Sequence, residues 1–589
     1  MAVISLSPLS YSSASLPISS STFPLSPKPT QLTKDKKEKG HHISKICCNS
    51  NENNPPTPHS EEGKALGNRR DVLIGLGGLY GAATLSSNNN NPLAMAAPIS
   101  PPDLRTCGAP DLEPGVTPVN CCPPFTKTVI DFKFPPPGTP LKVRPAAHLV
   151  NNQYIEKYKK ALSIMKSLPP DDPRNFTQQA NVHCAYCDGA YEQVGYPDLE
   201  IQVHSCWLFF PFHRLYLYFY ERILGSLIGD PTFAIPYWNW DNPPGMTMPS
   251  IFTDKNSPLY DPLRNVDHQP PTLIDLDYNR TDDNDPTMVA NVDANLKIMY
   301  REVVSNGKLP ALFLGSPYRA GDKADPGAGS VERVPHNPVH SWTGDKRQPN
   351  RENMGIFYSA GRDPIFYAHH ANVDRMWNIW KTKIPGGKRK DFTDPDWLQS
   401  AFLFYDENKN LVRVSVKDSL DSAKLGYVYQ DVEIPWLKTK PQPRKSKTTK
   451  VALGSVNFPV KLDSKVSTTV KRPKLSRTKK EKEDEEEVLV IDGIEFDRNE
   501  AVKFDVFIND EDDKVIGPSN AEFAGSFVSL PHSHVHKNKK INTCLRLGIT
   551  ELLEDLEADN DDTILVTLVP KYGKGLVTIK GITIELLSE

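Results

Sequence analysis

Six histidines fall into two groups whose spacing suits metal binding. In VERVPHNPVHSW, residues 331–342, His336 and His340 stand four apart. Residues at that spacing share one face of a helical turn. Pro338 is tolerated there if it lies in the first turn, where its missing N–H has no partner anyway. His369 and His370 follow in IFYAHHANVDRMW. Neighbouring helical residues point about 100° apart, so one of the two faces an ion and the other does not. His370 is the expected third ligand, and Asp374, four residues later, the expected carboxylate behind a ring. An earlier stretch, NVHCAYCDGAYEQVGYPDLEIQVHSCWLFFPFHR, holds His183, His204 and His213. On one continuous helix His204 and His213 would face opposite sides. Pro211 interrupts that helix, so His204 is expected on a loop and His213 in the first turn that follows. Three neutral imidazoles with no thiolate or carboxylate suit copper or zinc. Three histidines with an open position also describe hydrolytic zinc. Two such sets facing each other suggest a metal pair that holds a diatomic ligand. Two further motifs compete. Cys184 and Cys187 form a C-x-x-C, a redox or zinc signal, but no second pair and no surrounding βαβ pattern accompany it. His532, His534 and His536 in HSHVH would share one face of a strand, a candidate third metal site.

Helical periodicity predicts the elements that must position these groups. Residues 147–166, the stretch opened by Pro211, residues 291–307 ending at Gly307, and RDPIFYAHHANVDRMWNIWKTK read as four helices. Asp363 is the expected N-cap of the last, with Pro364 at its first position. Long loops join them, in keeping with 54 prolines. After Trp436 the chain becomes basic and polar over 437–457, a linker. Short β-branched runs separated by turn residues then predict an antiparallel sandwich over 458–589. The charged run 476–487 reads as a solvated loop. Residues 1–96 read as targeting rather than fold. A Ser/Pro-rich start with no acid before Asp35 suits an organelle transit peptide. Arg69-Arg70 before a short apolar core, ending at Ala94-Met95-Ala96, suits a twin-arginine signal. Together they point to the chloroplast and then the thylakoid lumen, with the metal-bearing unit over 97–436. Cys107, Cys121, Cys122 and Cys184 are disulfide candidates whose pairing the sequence leaves open. A net charge of −3 gives no field for nucleic acid. No apolar run reaches the roughly 18 residues of a membrane span.

HCAYC, HSCWLFFPFHRLYLYFYERIL, PYWNWD, HNPVHSWTG and FYSAGRDPIFYAHHANVDRMWNIW together resemble the plant polyphenol oxidases, catechol oxidases of the tyrosinase–haemocyanin type 3 copper group. The later DPDWLQSAFLFYDENKNLVRV and KFDVFIN do so as well, so the resemblance runs over nearly the whole chain. It implies a mainly α fold, a four-helix bundle around a dicopper centre with long loops, followed by a C-terminal β-sandwich. It implies two copper ions, one on His183, His204 and His213, the other on His336, His340 and His370. It implies a Cys187–His204 thioether and disulfides Cys107–Cys122 and Cys121–Cys184. Phe357 corresponds to a bulky gate over the second copper. Arg144 with Tyr427 and Tyr429 corresponds to a pair that closes the oxidase unit. Glu332 and Asn337 are the expected holders of a water that takes a proton from a phenol. The substrates implied are small phenols and O2, with o-diphenols oxidised to o-quinones. The C-terminal part is expected to keep the enzyme latent until a protease cuts the linker. Monophenol hydroxylation and a specialised phenolic biosynthetic oxidase share every ligand. A haemocyanin-like oxygen carrier and a two-zinc hydrolase are the readings from other classes.

Overall fold

Two kinds of periodicity divide the chain, and the computed structural model follows both. It describes residues 97–588 except 114, 280–290, 387, 444–455, 511–516 and 533–539. The expected targeting segment 1–96, most of the linker 437–457, and His534 and His536 lie outside the described residues. Helices α1 (Asn152–Ser167), α2 (Phe176–Cys187), α3 (Phe209–Leu227), α4 (Val292–Tyr300), α5 (Asn337–Thr343), α6 (Phe357–Ala360) and α7 (Ile365–Thr382) carry the first part. α1 starts at Asn152 because Asn151 caps it, its side chain accepting from Tyr154 N–H. α1 buries Tyr158, Ala161, Leu162 and Met165, a single stripe. α3 and α7 are buried on nearly every side, as central helices must be.

Several expected boundaries move. α3 begins at Phe209 rather than Pro211, because the first turn has no N–H bonds for proline to break. α7 begins at Ile365. Asp363 still accepts from the Ile365 N–H at 2.9 Å, but its carboxylate also takes Arg264 at 2.8 and 2.6 Å. α2 was not among the four expected helices. FTQQANVHCAYC has no apolar stripe, since α2 is buried all round from Gln179 to Cys187. α4 supplies no histidine and runs into a π-helical turn, Arg301–Ser305. A second π turn, Glu332–His336, precedes α5 and contains an extended residue, Val334. Such turns re-aim side chains at functional sites. Pro338 sits in the first turn of α5, as expected.

Small strands close this helical part. β1 (Val129–Asp131) pairs in parallel with β4 (Leu411–Ser415), which pairs antiparallel with β3 (Ala401–Tyr405). β2 (Lys142–Arg144) pairs in parallel with β5 (Tyr427–Tyr429). Disulfides Cys107–Cys122 and Cys121–Cys184, each with Cα atoms 5.8 Å apart, tie the irregular N-terminal segment to α2.

The second part is an antiparallel sandwich. One sheet runs in the order β10 (Phe523–Ser529), β9 (Val502–Ile508), β12 (Thr563–Tyr572), β7 (Val466–Lys471). The other runs β11 (Lys540–Gly548), β8 (Glu486–Asp497), β13 (Thr578–Ile579), β6 (Val460–Lys461), with β14 (Gly581–Leu587) also on β8. Both sheets feed one apolar core through Leu489, Ile491, Phe504, Val506, Leu545 and Val566. β9 is buried on both faces. Alternate residues point opposite ways, so Phe504 and Val506 enter that core while Lys503 reaches Asp277 of the helical part at 2.6 Å. The helical core is separate and, among the described residues, takes only Val528 and Leu530 from the sandwich as buried members. The charged run 476–487 is solvated along most of its length, as expected, but it is not a loop. Lys479–Asp484 is a helix closed by a Thr478/Glu481 capping box. Glu486 and Glu487 are buried because each meets a cation, Lys308 at 2.6 Å and Arg472 at 2.8 Å. Among the described residues no helix is long and apolar enough to cross a membrane.

Candidate metal centre

Two clusters of buried imidazoles face each other at the heart of the helical part. His183 comes from α2, His204 from the loop before α3, and His213 from the first turns of α3, with ring centroids 5.1–5.7 Å apart. His336 stands where the second π turn becomes α5, His340 lies one turn on, and His370 comes from α7. His340 Nε2 and His370 Nε2 are 3.2 Å apart, the separation of two ligands on one ion. The clusters meet where the His213 and His370 rings stack at 4.2 Å.

The outer nitrogens fix the tautomers. Nδ1–H of His183 donates to the Phe357 carbonyl at 2.9 Å, of His213 to Phe209 at 2.8 Å, and of His340 to Met354 at 2.8 Å. A carbonyl only accepts, so these rings keep an Nε2 lone pair pointing inward. His336 Nδ1 lies 3.1 Å from the Glu332 carbonyl and 3.0 Å from Asn337 Oδ1. Gln202 holds His204: its Oε1 accepts from the His204 backbone N–H at 2.9 Å and lies 3.3 Å from Nδ1. Nε2 of His183, His204, His213 and His336 is buried with no hydrogen-bond partner. Orphaned buried polar atoms are costly, and four converging ones fit metal ions. Burial also drives all six pKa values down, His183 to about 3 and His340 to about 4. The rings are therefore neutral, the form a metal ion needs.

Some residues have other partners than expected. Asp374 does not back a histidine. It accepts from Arg214 Nε at 2.5 Å, Tyr427 at 2.6 Å, Tyr429 at 2.5 Å and Arg144 at 3.3 Å. Two guanidinium groups outcompete a neutral ring for a buried carboxylate. Arg144 lies 3.7 Å over the Tyr427 ring, so the Arg144–Tyr pair meets in that same network. His369, excluded by spacing, joins the second cluster all the same. It stacks on His336 at 5.2 Å, and Trp240 Nε1 donates to its Nδ1 at 3.2 Å. Phe357 packs on the first cluster, its ring 4.4 Å from and nearly parallel to that of His204. The His183 bond to its carbonyl holds it on that side. Cys184 is in a disulfide, which ends the C-x-x-C redox and zinc readings. Cys187 is a free, buried thiol at the end of α2, and Gln202 Nε2 donates to its carbonyl at 2.9 Å. Gln202, Trp240 and Met354 carry no sequence signal as partners of metal ligands, since two of the three act through contacts distant in the chain.

Glu332 and Asn337 line one cavity with His204 and Phe357. Glu332 Oε1 accepts from Ser205 N–H at 2.5 Å, and Oε2 has no partner. Burial holds its carboxyl well above the ordinary range. Asn337 Nδ2 donates to the Val528 carbonyl of β10 at 2.9 Å. Leu530 and His532 complete the far wall, and His532 stacks on Phe357 at 5.2 Å. The open volume is about 30 Å³, room for a water or two and not for a phenol ring. Among the described residues His532 belongs to neither metal cluster.

Three family models match the chain. Residues 173–383 match the common central domain of tyrosinase, 391–442 the polyphenol oxidase middle domain, and 458–586 the chloroplastic polyphenol oxidase C-terminal domain. The chain is 57% identical to chloroplastic polyphenol oxidase of Malus domestica, over 99% of this chain and 100% of that one. It is 60% identical to polyphenol oxidase A1 of Vicia faba, over 98% of each. Aureusidin synthase of Antirrhinum majus is 56% identical over 83% of this chain and 89% of its own. Among solved structures, latent apple tyrosinase superposes with a TM-score of 0.75 at 63% identity, over 78% of this chain and 100% of that one. A latent aurone synthase superposes with a TM-score of 0.79 at 44% identity, over 84% and 99%.

Proposed function

The chain belongs to the plant polyphenol oxidases, tyrosinase-type dicopper enzymes that oxidise phenols with O2, and on that premise we propose that it is a catechol oxidase made as a latent precursor. The observation that carries this is the pair of imidazole clusters with inward Nε2 atoms beside an aromatic shelf. His183, His204 and His213 would hold one copper, and His336, His340 and His370 the other, with His369 buttressing His336. Bound copper would supply the electron exchange: two o-diphenols each lose two electrons and two protons to become o-quinones, and one O2 becomes two waters.

The chain's own residues do the rest. Phe357 offers its face to the substrate ring, a place now covered by His532. Glu332 Oε2 lies in the cavity free to hold the water that takes a phenol proton. Asn337 joins it only when Val528 withdraws. Cys187 and His204 are proposed to share a thioether, which fixes the ring and removes the thiol. Removal of the sandwich by a protease acting within 437–457 opens the site. The leader and the names of the relatives support delivery to the chloroplast, and the twin arginines delivery to the thylakoid lumen. A specialised biosynthetic role is the second reading, favoured by the 56% identity to aureusidin synthase.

The test is oxygen uptake by the copper-loaded chain, before and after linker cleavage, with catechol and then tyramine. Uptake with catechol only after cleavage is expected. Uptake with tyramine as well makes it a tyrosinase. Two bound coppers and no uptake with either phenol would overturn the reading.

A further inference from the structure

We propose that Arg333 anchors the carboxylate of an acidic o-diphenol, whose ring lies at the histidine clusters while its side arm runs along the groove that β10 now fills. This rests on the phenol-oxidising reading above. Arg333 is the second residue of the π turn that holds Glu332 and His336, and it is 2% exposed. A guanidinium has five N–H donors. In Arg333 they are poorly used. Nη1 reaches the Ala328 carbonyl at 3.4 Å, Nη2 reaches Glu302 at 3.3 Å, and Nε has no partner. Glu302 is a weak counter-ion. It shares its oxygens with Asn306 at 3.2 and 3.3 Å, and burial pushes its carboxyl up to about 7. Arg333 lines the same cavity as Glu332, Asn337 and Phe357.

The strand above shows what the groove accepts. Asn306 Nδ2 donates to the Ala524 carbonyl at 3.1 Å, and Asn337 Nδ2 to the Val528 carbonyl at 2.9 Å. Four residues of extended chain separate these carbonyls, roughly 13 Å. The floor between them carries the Asn306–Glu302–Arg333 chain of contacts. β10 supplies oxygen acceptors at both ends and none to Arg333. A substrate arm that replaces it lies beside a buried guanidinium whose Nε has no partner and whose counter-ion, Glu302, is shared with Asn306, and an anion on the arm would take the N–H groups left over. A carboxylate matches a guanidinium in charge and shape.

The experiment uses the full chain, copper-loaded and nicked in its Lys/Arg-rich linker with trypsin. For wild type, Arg333→Gln and Arg333→Lys, kcat/KM is measured with 3-(3,4-dihydroxyphenyl)propanoate and with neutral 4-methylcatechol. The acid-to-neutral ratio is taken within one preparation, so a general loss cancels. It is expected to fall about tenfold in Arg333→Gln, through KM, and to recover in part in Arg333→Lys. A ratio that moves by less than about twofold overturns the anchor. Calorimetric binding of cinnamate and cinnamamide, which carry no hydroxyl to oxidise, reads the anchor without turnover. Preference for the acid should vanish in Arg333→Gln, and equal weakening of acid and amide overturns the proposal. Arg333-dependent cinnamate binding without catechol oxidation would sink the oxidase reading and leave the anchor standing.

Discussion

At the scale of single residues the site is a set of lone pairs held in place by carbonyls. His340 is fixed by Met354 and faces His370. His340→Ala should therefore leave the other cluster intact, and metal analysis should find about one copper per chain in place of two. The Cys187–His204 thioether predicts a cross-linked peptide in a digest of copper-loaded, oxygen-exposed protein, lighter than the two free peptides by two hydrogens. The sulfur and a ring carbon each lose one hydrogen, and O2 takes the electrons. Uncoupled peptides of unaltered mass would refute it. Asp374 is a structural residue, contrary to its spacing from His370. Asp374→Asn leaves Arg144 and Arg214 buried without their shared carboxylate. A loss of about 3–5 kcal/mol is expected in denaturant unfolding, the cost of breaking a buried pair on one side.

At the scale of elements, the positioning depends on close backbone approach. Gly329 precedes the π turn of Glu332, and a Cβ there would lie 2.1 Å from the Phe313 carbonyl oxygen. Gly329→Ala should destabilise by about 1–3 kcal/mol, read as a lower melting temperature, because backbone rather than a flexible side chain must yield. The elements were unequally legible. α3 and α7 announced themselves through long apolar helical stretches. α2, which supplies His183, did not, because its buried positions include the polar Gln179, Asn181 and His183, which break up any apolar stripe. The π turns were invisible, since a five-residue widening of the helix leaves no periodic trace.

At the scale of the whole molecule, two cores meet over the metal centre, through apolar contacts of Val528 and Leu530 and through a few buried ion pairs. Arg498 of the sandwich joins Glu200 at 3.1 Å and Asp325 at 3.0 Å in the helical part. Arg498→Ala removes a mostly buried cation from between two acids. Oxygen uptake by the uncut chain with catechol should rise by about tenfold or more as the closed form weakens. No change in uptake would mean that this contact does not hold the site shut.

The sequence by itself determined the chemistry. Six of the histidines, their grouping into threes, and the adjacent Cys121 and Cys122, which do not easily bridge each other, are properties of residue type and order. The switch from helical to alternating periodicity divided the chain for the same reason. Tertiary structure decided which groups the ligands lean on. His369 joined the second cluster because α7 packs it against His336. Asp374 left it because Arg144 and Arg214 arrive from distant segments. Phe357 came to rest on His204, and the buried glutamates of the charged run found Lys308 and Arg472. These choices depend on which charges and rings meet in three dimensions, and a low-dielectric interior makes such meetings decisive.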